Sequence, residues 1–377
     1  MSKLSSYIVI LSFIAAGLPA AAQAPGEKPV MVEDVFKNVQ VLKGLPVNQF
    51  METMGMFASS IGENCIGCHA NESLVNWSKF AEDVPKKVVA RKMIQMVDNI
   101  NKTNFGGVRV VTCWSCHRGS DVPETVPNLA SQYNIPDEDP NTLEIAPNGP
   151  KEPTANQILD KYIQGLGGAE RLANLKSFVA KGTLSGFDTE HVPVPLEIYA
   201  KAPNQRAMIW HMPVGDNSIV FDGSAGWFAE VINPVRLLAM QPGAELDGAK
   251  LDAVLDFPAG LRQTLTDWRV GFPPTMIDGK DVNIVQGMGA GKTRFKLYFE
   301  SQSGLLVRQL RYDNTPVGLV PIQVDYEDYR DVAGVKLPFK IVITWTDGQS
   351  HIVLNDIQPN ASIDPQKFSR PAPPAVR

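Results

Sequence analysis

Cysteine and histidine are scarce in this chain of 377 residues, at four and five respectively. Four cysteines are too few for a disulfide-dense scaffold, so whatever they do must be read from their spacing. A surplus of positive charge is absent too. Lys and Arg number 35 against 40 Asp and Glu, a formal charge of -5, so the electrostatic footprint of a nucleic-acid-binding protein is missing. Beyond the first two dozen residues no apolar run reaches the ~20 residues that a bilayer-spanning helix requires. Thirty glycines and 29 prolines fall short of a collagen-like or wholly disordered composition. The length exceeds the ~250 to 300 residues at which single cores stop growing, and 44% of the residues are apolar, so two globular domains are expected.

The first residues read as an export signal. Lys3 precedes an apolar run from Tyr7 to Leu18, followed by the small-residue stretch Ala20-Ala21-Ala22-Gln23-Ala24. Residues 1–24 are expected to be a signal peptide cleaved after Ala22 or Ala24, the apolar core being too short for an anchor. The mature protein is therefore expected in an oxidising periplasmic space, with membrane association left open. No cysteine near the cleavage site offers an attachment point for lipid.

In that compartment four cysteines would ordinarily form two disulfides. Here they occur only as Cys65-Ile66-Gly67-Cys68-His69 and Cys113-Trp114-Ser115-Cys116-His117. One such pentapeptide arises by chance on the order of 10⁻³ times in a chain of this composition. On a helical turn, residues i, i+3 and i+4 share a face. Two thiols can then form thioethers with one haem while the adjacent imidazole reaches its iron. Cys65, Cys68, Cys113 and Cys116 thus become attachment sites for two covalent c-type haems, with His69 and His117 as proximal ligands. Zinc ribbons separate their cysteine pairs by ~15 to 20 residues, far less than the interval from Cys68 to Cys113. Disulfides or a dithiol redox site would call for neither histidine.

Ahead of each site runs a segment of helical period that carries methionines. Over 47–61, Phe50, Met54, Phe57 and Ile61 share a stripe, with Asn48 as the expected N-cap. Over 84–101, Val89, Met93, Met96 and Ile100 do the same, and Pro85 suits a first turn. A thioether is a normal sixth ligand to haem iron. Spacing does not choose among Met51, Met54 and Met56, nor between Met93 and Met96.

Residues 38–119 resemble the first half of the cytochrome c subunit of photosynthetic reaction centres. The likeness rests on Phe50-Met51-Glu52-Thr53, Val89-Ala90-Arg91-Lys92-Met93 and Cys113-Trp114-Ser115-Cys116-His117-Arg118-Gly119. It implies sixth ligands from the helices preceding the attachment sites, carried here onto Met51 and Met93. It also implies a role in electron transfer, with reaction centres as one acceptor. Two departures stand out. That family resembles a doubled, four-haem unit, whereas only two CxxCH sites exist here, and no histidine lies between Met93 and Cys113. Arg118 is a candidate partner for a haem propionate through its fork of donors.

After Gly119 the composition changes. Residues 121–153 contain seven prolines and seven acidic side chains, the pattern of an extended tether. The domain plan is thus 1–24 signal peptide, 25–120 dihaem unit, 121–153 linker and 154–377 second domain, with few contacts expected between the halves. Thr154 caps an expected helix over 155–164 closed by Gly167-Gly168. Many short segments then alternate by twos, including 178–184, 196–201, 206–210, 294–300, 305–312, 322–329 and 339–346. They predict an antiparallel curved sheet or open half-barrel, covered by a helical stretch near 246–265. Gln157-Ile158-Leu159-Asp160-Lys161-Tyr162 and the run from Tyr326 to Pro338 resemble the ends of outer-membrane lipoprotein-sorting proteins, which implies an acyl-binding fold.

Two further patterns carry no function. Gly287 to Thr293 has the look of a phosphate loop, but Gln286 stands where the first glycine belongs and a strand pattern follows. His191, His211 and His351 are isolated from cysteines and carboxylate pairs in sequence. The expectation is an exported dihaem cytochrome passing single electrons to envelope redox partners, not an enzyme, with a β domain for an apolar ligand or partner. The competing readings are a lipid or lipoprotein carrier with an accessory haem unit and a haem peroxidase, against which two methionine-capped irons argue.

Overall fold

The computed structural model describes residues 27–127, 139–141, 152–232, 234–271 and 275–375. The signal-peptide reading of residues 1–24 and most of the linker lie outside them. The amino-terminal region is helical: α1 (Val32–Val35), α2 (Val47–Ile61), α3 (Cys65–Cys68), α4 (Pro85–Asn104) and α5 (Cys113–His117), with 3₁₀ turns at Asn71–Leu74 and Trp77–Ala81. Pro85 starts α4 as expected, since its missing N–H costs nothing at a first turn. Asn48 is not a cap. Pro46 occupies that place without a side-chain bond, and the Asn48 amide reaches instead to Glu245.

The face that α2 buries differs from the stripe its apolar residues predict. Val47, Thr53, Gly55, Met56 and Ser60 are the buried positions, whereas Phe50, Met54, Phe57 and Ile61 are only partly covered. The two hydroxyls are buried without cost because they turn back onto the helix, Thr53 to the Gln49 carbonyl at 2.7 Å and Ser60 to the Met56 carbonyl at 2.6 Å.

The second region opens with α6 (Ala155–Gly165) and α7 (Ala169–Asn174). Thr154 and Gln157 close a capping box at the start of α6, satisfying orphan amides reciprocally. Fourteen strands follow in one antiparallel sheet: β1 (Ser177–Gly186), β2 (Val194–Lys201), β3 (Gln205–Met212), β4 (Gly215–Phe221), β5 (Gly226–Ala229), β6 (Leu237–Ala239), β7 (Thr266–Val270), β8 (Thr275–Ile277), β9 (Lys280–Met288), β10 (Arg294–Glu300), β11 (Leu306–Thr315), β12 (Gly318–Val332), β13 (Val335–Trp345) and β14 (Gly348–Pro359). The order runs β6-β5-β4-β3-β2-β1-β14-β13-β12-β11-β10-β9-β7, with β8 paired to β9. The first and last strands meet in the middle, so the sheet grows outward as two meanders and stays open.

Between β6 and β7 the chain crosses as α8 (Ala244–Leu255), a 3₁₀ turn at Pro258–Gly260 and α9 (Leu261–Thr264). The continuous helix expected near 246–265 is broken because Pro258 has no amide to donate and restricts the residue before it. Leu251 and Val254 of α8 join Ile158, Leu159 and Tyr162 of α6 in one core with Leu196, Ile198, Leu297 and Phe299 of the strands. Both helices therefore cover the same face of the sheet.

The two regions are not separated as the proline-rich tether implies. Met56 packs with Val317 and Val320 at the β11–β12 turn, beside Phe57 and Cys113. Gln49 donates to the Asn314 carbonyl at 2.6 Å, and Arg109 to the Asn314 side chain at 2.6 Å. Gly55 faces the β13–β14 turn so closely that a Cβ there would lie 2.8 Å from Asp347 Oδ1. The described piece of linker docks as well: the Asn141 carbonyl accepts from Lys296 at 2.7 Å and from Tyr312 at 3.1 Å. Composition reports how stiff a tether is; surface complementarity decides whether its ends touch.

Candidate haem unit and adjoining cavity

The second attachment motif forms one complete helical turn. Thr112 and Ser115 close a capping box around α5, so Ser115, a spacer residue of the motif, holds Cys113, Cys116 and His117 in register. His117 Nδ1 lies 2.9 Å from the Ser120 carbonyl. That bond assigns the proton to Nδ1 and leaves the Nε2 lone pair free to face a metal. Arg118 follows in the left-handed region at φ 50° with its side chain exposed.

The first motif is built differently. Asn64 precedes α3 without a side-chain cap, and His69 leaves the helix in an extended conformation. Its ring meets Phe80 edge-on, with centroids 4.8 Å apart. From there ring contacts run through Trp77 and Phe36 to Phe50 on α2. Burial, then the charge of Lys87, holds the His69 pKa below its ordinary value, so the imidazole is neutral as a ligand must be. His69 Nδ1 is buried without a hydrogen-bond partner.

All four thiols are free. Burial raises the pKa of Cys65 and Cys68 and pushes Cys113 up to about 11. A dithiol redox centre needs the reverse shift. Among the described residues no three His, Cys, Asp or Glu side chains converge on a point where a metal ion could sit. Gly62 ends α2 at φ 68°, and a Cβ there would lie 2.3 Å from the Gly119 carbonyl. This close approach, with the 2.8 Å bond from Gly119 N to the Ser60 carbonyl, ties the end of α2 to the segment behind α5.

The unit leaves much apolar surface open: Leu74, Val75, Val89, Met96, Val108 and Trp114 are all exposed. A porphyrin is the kind of group such surface would cover, and the donor set fits it. Met93 is partly buried on α4. Met54 falls one turn after Phe50, on the face joined to His69 by the aromatic chain. Met51 lies off that face. It is 37% exposed and lines a cavity of the sheet domain together with Asn48 and Glu52.

That cavity, about 450 Å³, is walled by α2, α8 and the inner face of the sheet, including Leu166, Phe178, Ile198, Met240 and Leu354. At the α2 end its lining includes Glu52, Glu245, Arg311 and Asp313. Burial, with the Asp313 charge beside it, pushes Glu52 up to about 10. Glu245 is pushed up to about 7 by burial, against the bonds it accepts from the Gln241 amide and Asn48. This polar end escaped sequence reading, although Asn48 and Glu52 at i and i+4 mark a second face on α2. The isolated histidines stay apart from it; His211 pairs with Asp216 at 3.1 Å across the β3–β4 hairpin. The glycine-rich run from Gly287 turns between β9 and β10, where the Gly291 amide meets the Asp247 carboxylate at 2.9 Å, so that turn already holds an anion of the chain itself.

Residues 8–151 match the family model of the photosynthetic reaction centre cytochrome c subunit. Among curated relatives, the subunit of Roseobacter denitrificans is 36% identical over 103 residues, covering 26% of this chain and 27% of that protein. The subunit of Thermochromatium tepidum is 37% identical over 108 residues, covering 28% and 25%. The chain thus spans about a quarter of the length of these relatives. Among solved structures, a LolA superfamily protein from Nitrosomonas europaea covers 58% of this chain and 98% of its own, at 14% identity and a TM-score of 0.40. A putative outer-membrane lipoprotein-sorting domain from Vibrio parahaemolyticus covers 56% and 97%, at 10% identity and 0.38.

Proposed function

We propose that the protein is an exported dihaem c-type cytochrome that passes single electrons between envelope partners, its sheet domain binding an apolar ligand or a partner. The observation that carries this reading is the local geometry of the second motif. Two thiols and an imidazole share one capped turn, with the imidazole tautomer set by the Ser120 carbonyl so that Nε2 is the ligand nitrogen. Covalent haem supplies reversible one-electron chemistry. The chain's own part is to hold it: Cys65 and Cys68 with His69, Cys113 and Cys116 with His117, and Met93 from α4 as sixth ligand of the second. For the first, the resemblance implies Met51, while the face that α2 turns toward His69 favours Met54, and Met54 is the residue we assign. Arg118 is placed to pair with a propionate. Protein made with haem-maturation machinery should gain the mass of two haems; recovery of two disulfides without haem would overturn the assignment. Met54→Ala should abolish the thioether-to-iron band of one haem, and loss of that band in Met51→Ala instead would restore Met51.

A more specific reading, donation to a photosynthetic reaction centre, is favoured by the match to about a quarter of the length of those subunits. It is tested by re-reduction of a photo-oxidised reaction centre by the ferrous protein.

A further inference from the structure

The two attachment motifs give their histidines unlike surroundings, and the difference turns on one lysine. His117 Nδ1 meets the Ser120 carbonyl at 2.9 Å, the kind of bond that makes a ligand imidazole more basic. At the first motif the carbonyl that faces the ring is that of Phe80, and burial first, then the Lys87 charge, hold the His69 pKa down against its pull. Lys87 has taken that carbonyl for itself. Its ammonium donates to the Phe80 carbonyl at 2.7 Å and to the Glu82 carbonyl at 3.1 Å, and His69 Nδ1 is left without a partner in bonding geometry.

The charge of this lysine is only partly cancelled. Its side chain is 14% exposed, and Asp83 Oδ1 lies 3.9 Å from the ammonium. The same oxygen is 2.8 Å from Arg91 Nη1 and accepts from the Asn38 amide at 2.8 Å, so one carboxylate answers two cations. A surplus cation beside a haem ligand, in a site partly withdrawn from water, disfavours the more highly charged ferric iron. An imidazole whose Nδ1–H is not donated is the weaker base and disfavours ferric iron as well. Both effects have the same sign, and the lysine produces both.

We propose that Lys87 is a positioning residue for the first haem: by occupying the Phe80 carbonyl and setting its charge beside His69, it holds that haem above the second in reduction potential. The inference rests on the dihaem function proposed above, with His69 and His117 as the proximal ligands. The test is a spectroelectrochemical titration of the full chain once mass has shown two haems, and two one-electron waves are expected. Lys87→Met keeps the apolar stem and frees the carbonyl for His69. It should lower the higher wave, so that the ferrous-to-ferric ratio at a fixed potential falls at least tenfold, a shift of ~59 mV or more, and leave the lower wave in place. Lys87→Arg, which retains the charge and a donor, should keep both waves. Asp83→Asn, which removes the shared counter-charge, should raise the higher one, and a merely structural role would not give shifts of opposite sign. The proposal is overturned if Lys87→Met moves neither wave or moves the lower one, or if Asp83→Asn lowers the higher wave. Parent protein that acquires fewer than two haems overturns the functional reading, and this one with it, by mass before any potential is measured; two haems with unmoved waves overturn this one alone.

Discussion

The two regions of this protein reach their folded state by different means. The sheet region encloses one continuous core, in which Phe295, Leu297, Phe299 and Leu251 have no exposed surface, and two helices cover the face that fourteen strands leave apolar. The haem unit has five helices, two of four residues, and its apolar side chains lie largely at the surface. Such a unit buries too little of itself to offset the conformational entropy of ordering its chain. One region is complete in its own side chains; the other leaves exposed the apolar surface that the proposed haems would cover.

The comparison breaks most visibly if the attachment thiols are removed. Replacing Cys65, Cys68, Cys113 and Cys116 by serine should leave residues 27–120 open to limited proteolysis while 154–375 stays resistant, since binding energy there is folding energy. Equal resistance of both regions would show that the haem unit folds unaided. The reciprocal change, Phe299→Ala in the closed core, should cost about 3–5 kcal/mol in the sheet transition, followed by far-UV circular dichroism, with the haem ligation bands intact at low temperature.

The seam between the regions sharpens the contrast through pH. Glu245 is pushed up to about 7 in the folded protein by burial. Its folded pKa therefore exceeds the unfolded value, and the folded state holds the extra proton between them. Stability from this group is full below about pH 4.5 and declines as pH rises toward 7, by up to about 1.4 kcal/mol per pH unit within that window. Glu245→Gln should flatten that part of the profile in denaturant titrations, whereas an unchanged slope would place the titration elsewhere. A smaller effect is expected from Gly55→Ala. The new methyl would meet Asp347 Oδ1 at 2.8 Å, costing about 1–2 kcal/mol by overpacking, and the loss should appear as earlier release of the haem unit from the sheet. A variant as stable as the parent would mean that α2 and the β13–β14 turn are less closely fitted than described.

Much of this was legible from the residues. The spacing of Val47–Ile61 gives that helix its true bounds, and Pro85 and Thr154 mark starts that the structure keeps. Period-two alternation finds the long strands such as β13. It passes over β5, β6, β7 and β8, which have three to five residues and are held by their neighbours in the sheet, and it also misses the nine-residue β9. The two cysteine motifs are legible as candidate attachment sites because thiols three apart with an adjoining imidazole need only one helical turn to converge, and one turn is local.

What the sequence by itself determined is whatever depends on neighbours in the chain: the attachment turns, the capped helices, the alternating strands and the break at Pro258. Tertiary structure decided which side of α2 meets the sheet, and hence that Met51 lines a cavity while Phe50, one turn before Met54, ends the aromatic chain from His69. It also decided that Asn48 bonds to Glu245, nearly two hundred residues away, instead of capping its helix. The reason is physical. A helix offers several faces of similar energy, and the surface it packs against, assembled from distant strands, selects among them.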